Sequence, residues 1–476
     1  MDNRLTDRLL FLIKEGSPMS FSERLNLTLR LSLPAILAQL STIVMQYIDA
    51  AMVGSLGAQA SASIGLVSTT TWLFSGLCSA VVAGFAVQVA HFIGAGKNSS
   101  ARDVLGQSVL FTVAFSIVLS MVGVAISDRL PTWLGADSSI HSDASLYFRF
   151  YSLFLPILQL YFLSGSMLRY SGNMRVPSIA GVAMCFLDVV FNFFLIFPTR
   201  MVHLFGMPIV IYGAGLGVKG AVLGTGLACL VMAVFLLWFL FFRSRELSMD
   251  GEKIRIFPES RIIKKSLQIG LPMGIEHLMI CGAQIVSTII VAPLGVFAIA
   301  ANSFAVTAES LCYMPGYGIA DAAATLVGQS LGAKRVKLAK SFAYMSVGTG
   351  VLVMTLMGIV MYVFAPQIIG IMTPVTEIKD LAVGALRIEA FAEPMYAASI
   401  VSYSVFVGAA DTLTPCLMNL LSIWGVRLGM AAILAPRMGL NGVWLAMCIE
   451  LCFRGLIFLI RLFSKKWLRK YGNYKG

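Results

Sequence analysis

Residues 33–60 read LPAILAQLSTIVMQYIDAAMVGSLGAQA, and the apolar run they open continues to Lys97. Shifted by 238 residues, the stretch reads again. Leu33-Pro34 falls on Leu271-Pro272, Val53 on Val291, Leu56-Gly57 on Leu294-Gly295 and Ala60 on Ala298. Thr69 falls on Thr307, Val89 on Val327 and Gly94-Ala95 on Gly332-Ala333. Without a gap, the same shift later carries Pro156 onto Pro394 and Pro177 onto Pro415. Proline and glycine impose special backbone geometry, so their agreement at one offset marks a true repeat. The chain is two copies of a unit of roughly 220–240 residues.

The unit is made for lipid. Of 476 residues, 58% are hydrophobic and 12% charged, with mean hydropathy +0.85. A soluble protein carries about 25% charged residues. Apolar runs near or above ~18 residues recur, each long enough to cross a bilayer as a helix. They show no strand-like alternation, which excludes a barrel. The first such run begins after Arg30 with no small-residue cleavage site, so it stays in the mature chain. The eight cysteines lie in or beside apolar runs, without CxxC or Cys/His ligand spacing, and read as small buried hydrophobes.

The pattern predicts an all-α integral membrane protein with twelve transmembrane helices in two parallel six-helix repeats around a central cleft. The expected spans of the first repeat are 31–53, 62–92, 104–126, 146–168, 177–198 and 217–242. Those of the second are 268–292, 300–329, 341–364, 383–407, 415–435 and 440–463. Around them lie an amphipathic N-terminus (1–30), in which Ser22-Glu23 reads as the start of a surface helix, and a charged linker (243–266). The N-lobe is then 31–242 and the C-lobe 267–463, with a basic tail at 464–476. The one large irregularity is some sixteen extra residues in the first copy, an external loop from Pro198 to Gly215. Lys and Arg are divided 26 against 7 between the two sides, with Arg427 and Arg454 inside spans. The positive-inside rule therefore places both termini and the linker in the cytoplasm of a plasma or inner membrane. The net charge of +12 is a topology signal with some anionic-lipid contact, and nucleic acid is not an expected partner.

Nucleotide and hydrolase motifs do not account for the chain. GxxxxGK[ST], HExxH and GxSxG are missing. Gly215-Leu216-Gly217-Val218-Lys219-Gly220 fits GxGxxG but opens an apolar span, where glycine serves close helix packing. The informative residues are ionisable groups inside spans, each of which costs several kcal/mol unless paired or hydrated. Asp49 lies in the first span. Asp188 lies in the fifth, with Asn192 one turn later on the same face, and Thr225 in the sixth offers a hydroxyl oxygen. Together these are hard oxygen ligands suited to Na⁺, and a carboxylate pair can instead hold a proton. In the second copy Ser287 stands where Asp49 would repeat. Its acids are Glu276, expected near the cytoplasmic end of its span, Glu309, Asp321, Glu389, Glu393 and Glu450. The last is one turn from Arg454 and reads as a structural ion pair.

At these residues the chain resembles the MATE (multidrug and toxic compound extrusion) family of the multidrug/oligosaccharidyl-lipid/polysaccharide superfamily, over essentially all of residues 30–463. Asp49-Ala-Ala-Met-Val53-Gly54-Ser-Leu56-Gly57 resembles the family's first-span element. Val327-Gly328-Gln329-Ser-Leu-Gly332-Ala333 resembles its Gly-Gln-x-x-Gly-Ala element. Gly408-Ala-Ala410-Asp411-Thr412-x-x-Pro415 resembles Gly-x-Gly-Asp-Thr-x-x-Pro with Ala410 for a glycine, and Gly439-Leu-x-Gly442-Val443-Trp444 also fits. The resemblance implies a secondary antiporter that admits H⁺ or Na⁺ while an organic, often cationic, small molecule leaves. It needs no other cofactor and is expected to work as a monomer. The resemblance also carries the N-lobe cation roles onto Asp49, Asp188, Asn192 and Thr225, although the fifth-span pair here reads Asp-x-x-x-Asn where the family often has Asn-x-x-x-Asp. It makes Glu276 the best positional match for a C-lobe cation or substrate acid, with Glu309, Asp321 and Glu393 as further candidates. A lipid-linked oligosaccharide flippase of the same superfamily is the alternative, expected to show a cleft rich in arginine.

Overall fold

A computed structural model describes residues 3–204, 207–248 and 258–471. The chain opens with α1 (Asn3–Glu15) and α2 (Phe21–Gly54), followed by α3 (Ala58–Gly94), α4 (Asn98–Ile126), the single turn α5 (Leu130–Trp133), α6 (Ser138–Tyr170) and α7 (Arg175–Ile196). A hairpin of β1 (Pro198–Leu204) and β2 (Met207–Ala214) leads to α8 (Gly217–Phe242). The second copy comprises α9 (Ser260–Val291), α10 (Val296–Gly332), α11 (Val336–Met372), α12 (Thr376–Glu389) and α13 (Glu393–Gly408). It continues with α14 (Leu413–Leu420), a π-helical stretch (Leu421–Leu428), α15 (Gly429–Met438) and α16 (Leu440–Ser464), and closes on a 3₁₀ segment (Lys466–Tyr471). Eleven helical segments are long and apolar enough to span a bilayer, and the bent pair α12–α13 makes the twelfth span.

Several boundaries differ from the sequence reading for local reasons. The surface helix is α1, and residues 21–30 belong to the first span. Ser20, not Ser22, starts α2: its hydroxyl accepts from Glu23 N at 3.2 Å while the Glu23 carboxylate accepts from Ser20 N at 2.8 Å. That reciprocal capping box satisfies two otherwise orphaned donors. In the linker, residues 260–266 already form the start of α9, and the surface helix entertained there falls largely on residues 249–257, outside the described residues. The tenth span is not continuous: α12 and α13 meet at 60°. Pro394, in the first turn of α13, has no N–H to extend the preceding helix. The extra residues of the first copy form the two-stranded hairpin, whose end ties back onto α7 through Gly215 N to Phe197 O and Leu216 N to Leu195 O, both 2.9 Å.

The repeat reaches into the backbone. Gly57 (φ +118°) and Gly295 (φ +98°) sit 238 residues apart and start α3 and α10. At the same offset, Gly96 (φ +70°) answers Lys334 (φ +59°), and Gly172 (φ +101°) answers Ala410 (φ +56°). The turn geometry has outlived the glycine in the second copy, at roughly 1–2 kcal/mol per left-handed residue with a Cβ. Ala410→Gly therefore raises stability by about 0.5–1 kcal/mol once the entropy of glycine is subtracted. The expected readout is a higher thermal midpoint in detergent with unchanged function, and an unchanged or lowered midpoint contradicts it.

Each lobe has its own apolar core, one around Phe85, Leu105 and Leu163, another around Ala301, Leu386 and Trp444. The lobes meet along α2–α10 and α3–α9 in a seam of small residues, as close helix approach in a membrane requires. A Cβ on Gly94 would lie 2.0 Å from Gln329 O, and one on Gly332 would lie 2.1 Å from His91 O. These contacts are mutual images at offset 238, so a two-fold pseudo-axis runs between them. Gly84 against Ser266 O (2.3 Å) and Gly318 against Ile36 N (2.6 Å) continue the seam. Contact this close lies on the side that carries the termini. There Gln88 also donates to Ile262 O (3.1 Å), Gln329 donates to Tyr170 O (2.9 Å), and His91 Nε2 lies 2.8 Å from Gly408 O.

α1 straps the same side. Leu9, Leu10 and Ile13 are buried in a C-lobe core with Ile319, Leu326 and Phe342. Arg335 donates to Leu12 O (2.8 Å) and Ser17 O (2.7 Å), which satisfies carbonyls at the end of α1. Lys14 reaches Glu246 at 2.6 Å and Asp7 reaches Arg245 at 3.7 Å, so α1 also holds the segment that follows α8.

Candidate functional site

The N-lobe site assembles from three helices. Asp49 lies on α2, Asp188 and Asn192 one turn apart on α7, and Thr225 on α8. Asn192 Nδ2 donates to Asp49 Oδ1 at 2.9 Å and to Asp188 Oδ2 at 3.2 Å, bridging the two carboxylates. Asp188 is 0% exposed and Asn192 1%, while Asp49 is half-buried. The Thr225 hydroxyl donates to Ala221 O at 3.2 Å and stands beside Asp188. Gly224 makes room for the amide: a Cβ there would be 2.1 Å from Asn192 Oδ1. All four residues singled out by sequence thus come together.

Two oxygens are left over. Asp188 Oδ1 and Asn192 Oδ1 are buried without a hydrogen-bond partner among the described residues. Unsatisfied buried acceptors of this kind are costly, and they match a proton or a hard cation. Among the described residues no group of three or more His, Cys, Asp or Glu is placed to hold a metal ion, so Na⁺ would rely on the amide and hydroxyl oxygens as well as the carboxylates. Sequence reasoning missed Tyr147 on α6, whose phenol faces Asp49 and Asp188. A tyrosine among apolar neighbours carries no signal of its own.

The C-lobe acids are not one site. Glu276 is buried at 5% exposure, deeper than its expected place near a helix end. Tyr403 OH donates to it at 2.6 Å and Asn419 Nδ2 at 2.5 Å, from α13 and α14. Glu309 and Glu393 lie together with Glu389 at the α12–α13 break. Glu389 and Glu393 are 0% exposed, and none of their carboxylate oxygens has a hydrogen-bond partner among the described residues. Asp321 stands apart on the lobe seam, 4.0 Å from Arg169 of the other lobe. Glu450 pairs with Arg454 at 3.0 Å, as its i,i+4 spacing indicated, and also accepts from Ser422 at 2.6 Å. Arg427 lies against the Met447 thioether.

Twelve spans in two repeated lobes, with carboxylates buried inside each lobe, define a two-lobed polytopic membrane protein. The chain belongs to the MatE family, whose sequence model matches residues 34–194 and 272–433, two segments that begin 238 residues apart. It is similar to the probable multidrug resistance protein NorM of Thermotoga maritima, with 25% identity over 93% of each chain. It is equally similar to the multidrug resistance protein MdtK of Yersinia enterocolitica, at 25% identity over 93% of this chain and 95% of that one. Among solved structures, a MOP superfamily transporter from Pyrococcus furiosus superposes with a TM-score of 0.86 at 20% identity, over 97% of this chain and 98% of that one. A multidrug resistance MATE family transporter in an outward-facing conformation gives 0.83 at 21% identity, over 92% and 96%. At such identities the structural likeness speaks for the fold.

Proposed function

We propose that this chain is a secondary active multidrug exporter that antiports organic, chiefly cationic, small molecules against H⁺ or Na⁺ by alternating access. The single observation that carries the reading is the Asp49–Asn192–Asp188 bridge, two carboxylates held on one amide with acceptors to spare inside a lipid-embedded lobe. The names of the relatives, multidrug resistance proteins, point the same way.

The seam between Gly94 and Gly332 closes the side of the termini, and the reading takes this as the outward-facing state, with both termini cytoplasmic in the cell membrane. A cation arriving from outside neutralises or ligates Asp49 and Asp188, frees Asn192 to repack, and shifts α2 against α7. Coupling follows if the cation and the drug differ in affinity for the two states. The C-lobe carboxylates Glu276, Glu309 and Glu393 supply counter-charge for a cationic substrate. Asp321 belongs to the gate, since its ion pair spans the lobes and breaks when they part. One chain contains both halves of the pathway, so the monomer suffices, no enzymatic step is involved, and lipids are its surroundings. A flippase for pyrophosphate-linked sugars is disfavoured because the in-span arginines are engaged within the C-lobe, Arg454 on Glu450 and Arg427 against Met447.

The test is efflux of a fluorescent organic cation such as ethidium from proteoliposomes under a pH gradient alone and a Na⁺ gradient alone. Efflux under one gradient is the expected result and names the ion. No efflux under either, from folded and inserted protein, overturns the antiport reading.

A further inference from the structure

A groove of about 900 Å³ opens between α1, α2 and α7 on the termini side, away from both acid clusters. Its membrane-facing wall is apolar and exposed: Leu33 (47%), Leu37 (54%), Ile179 (54%), Val182 (44%) and Phe186 (69%). Its other end is basic. Lys14, Arg30, Arg175, Arg243 and Arg245 line it, against two acids, Asp7 and Glu246. Each acid already has a base of its own, Arg245 at 3.7 Å and Lys14 at 2.6 Å, so the basic side chains outnumber the acidic by three. Ser178 and Asn173 add polar atoms at the boundary between the two zones.

A wall of branched and aromatic side chains ending at a cluster of guanidinium groups has the chemistry of one kind of occupant. Acyl chains fit the wall, and a phosphate on the interfacial end meets planar guanidinium donors, the pairing arginine makes best. We infer that this groove is a binding site for an anionic phospholipid of the leaflet on the side of the termini. The charge excludes the cationic compounds proposed for the central cleft, so the groove is not an antechamber for them. α1 floors the site with Thr6, Leu10, Phe11 and Lys14 while its other face is sunk in the C-lobe core. An occupying lipid therefore presses on the strap that joins the lobes.

The experiment is native mass spectrometry of the full chain in detergent, with phosphatidylglycerol or phosphatidylcholine added. The wild type is expected to retain phosphatidylglycerol preferentially. Arg30→Gln, Arg175→Gln and Arg243→Gln each lower that retention about fivefold, the change expected for one basic group at an anionic surface. Lys337→Gln, a basic change on the same side but outside the groove, leaves it unaltered. Val182→Trp fills the groove without altering charge and displaces the lipid, so it also serves if an arginine variant does not fold. Equal retention of the two lipids by the wild type overturns the proposal. So does an equal loss in Lys337→Gln and the groove variants, which would reduce the effect to general surface charge.

Discussion

Asp188→Asn is expected to abolish gradient-driven export while leaving the protein as stable as the wild type or more so. The side chain is fully buried, one of its oxygens has no partner among the described residues, and its neighbour is a second carboxylate. Replacing a buried carboxylate by an isosteric amide removes a desolvated charge, which is neutral or favourable for folding. The amide oxygen can still accept from Asn192, so the bridge survives in shape and loses only its ability to take up a cation. Coupling energies of about 1–3 kcal/mol correspond to losses of roughly 5–150-fold in driven transport. Asp49→Asn should behave alike. Glu450→Gln provides the contrast: it strips a buried guanidinium of its partner and should cost about 3–5 kcal/mol of stability. Efflux assays beside thermal unfolding separate the two outcomes. Full transport by Asp188→Asn and Asp49→Asn would remove the N-lobe site from the mechanism.

Gly94→Ala and Gly332→Ala are expected to hold the lobes apart on the termini side. Each new methyl would stand 2.0–2.1 Å from a backbone oxygen of the opposite lobe, and a carbonyl within a helix cannot swing aside as a side-chain tip can. Overpacking of this kind costs about 1–3 kcal/mol, which lowers the population of the closed state roughly 5–150-fold relative to the alternative. Alanine improves each helix by itself by about 1 kcal/mol, so the lobes should fold normally. Pulsed EPR between labels at Ser99 and Lys337, on a background lacking the eight native cysteines, should show a longer distance in either variant, with export reduced. An unchanged distance would mean that the seam is softer than its geometry indicates.

The repeat was legible because it is written in prolines and glycines whose backbone roles persist: Pro34 and Pro272, Gly57 and Gly295, Gly94 and Gly332 all occupy matching places. The N-lobe site was legible because a carboxylate in a membrane span is expensive enough to need a reason, and Asp188 and Asn192 declare their shared face by spacing alone. What stayed hidden depends on contacts between distant segments. Glu276 appeared shallow because α9 starts earlier than expected, at Ser260, and its donors Tyr403 and Asn419 come from elements more than a hundred residues away. The break after Glu389 lies five residues before the nearest proline, so the apolar run masks it. α1 looked like an interfacial helix since nothing in residues 3–15 announces that Arg335 will hold its end.

The hairpin that follows α7 has a mechanical consequence. Its last residues are stitched to the end of α7 by two backbone hydrogen bonds before the chain turns into α8, and Gly220 of α8 sits so close that a Cβ there would be 2.5 Å from Leu195 O. The two helices are thus clamped at their far ends into one stiff plate that bears Asp188, Asn192 and Thr225. α2, which bears Asp49, has no such rivet, and its preceding segment is fastened through α1 to the C-lobe. When charge at the site is neutralised, the plate keeps its form and α2 is the part free to travel, which makes it the pushrod by which an event inside one lobe is delivered to the other.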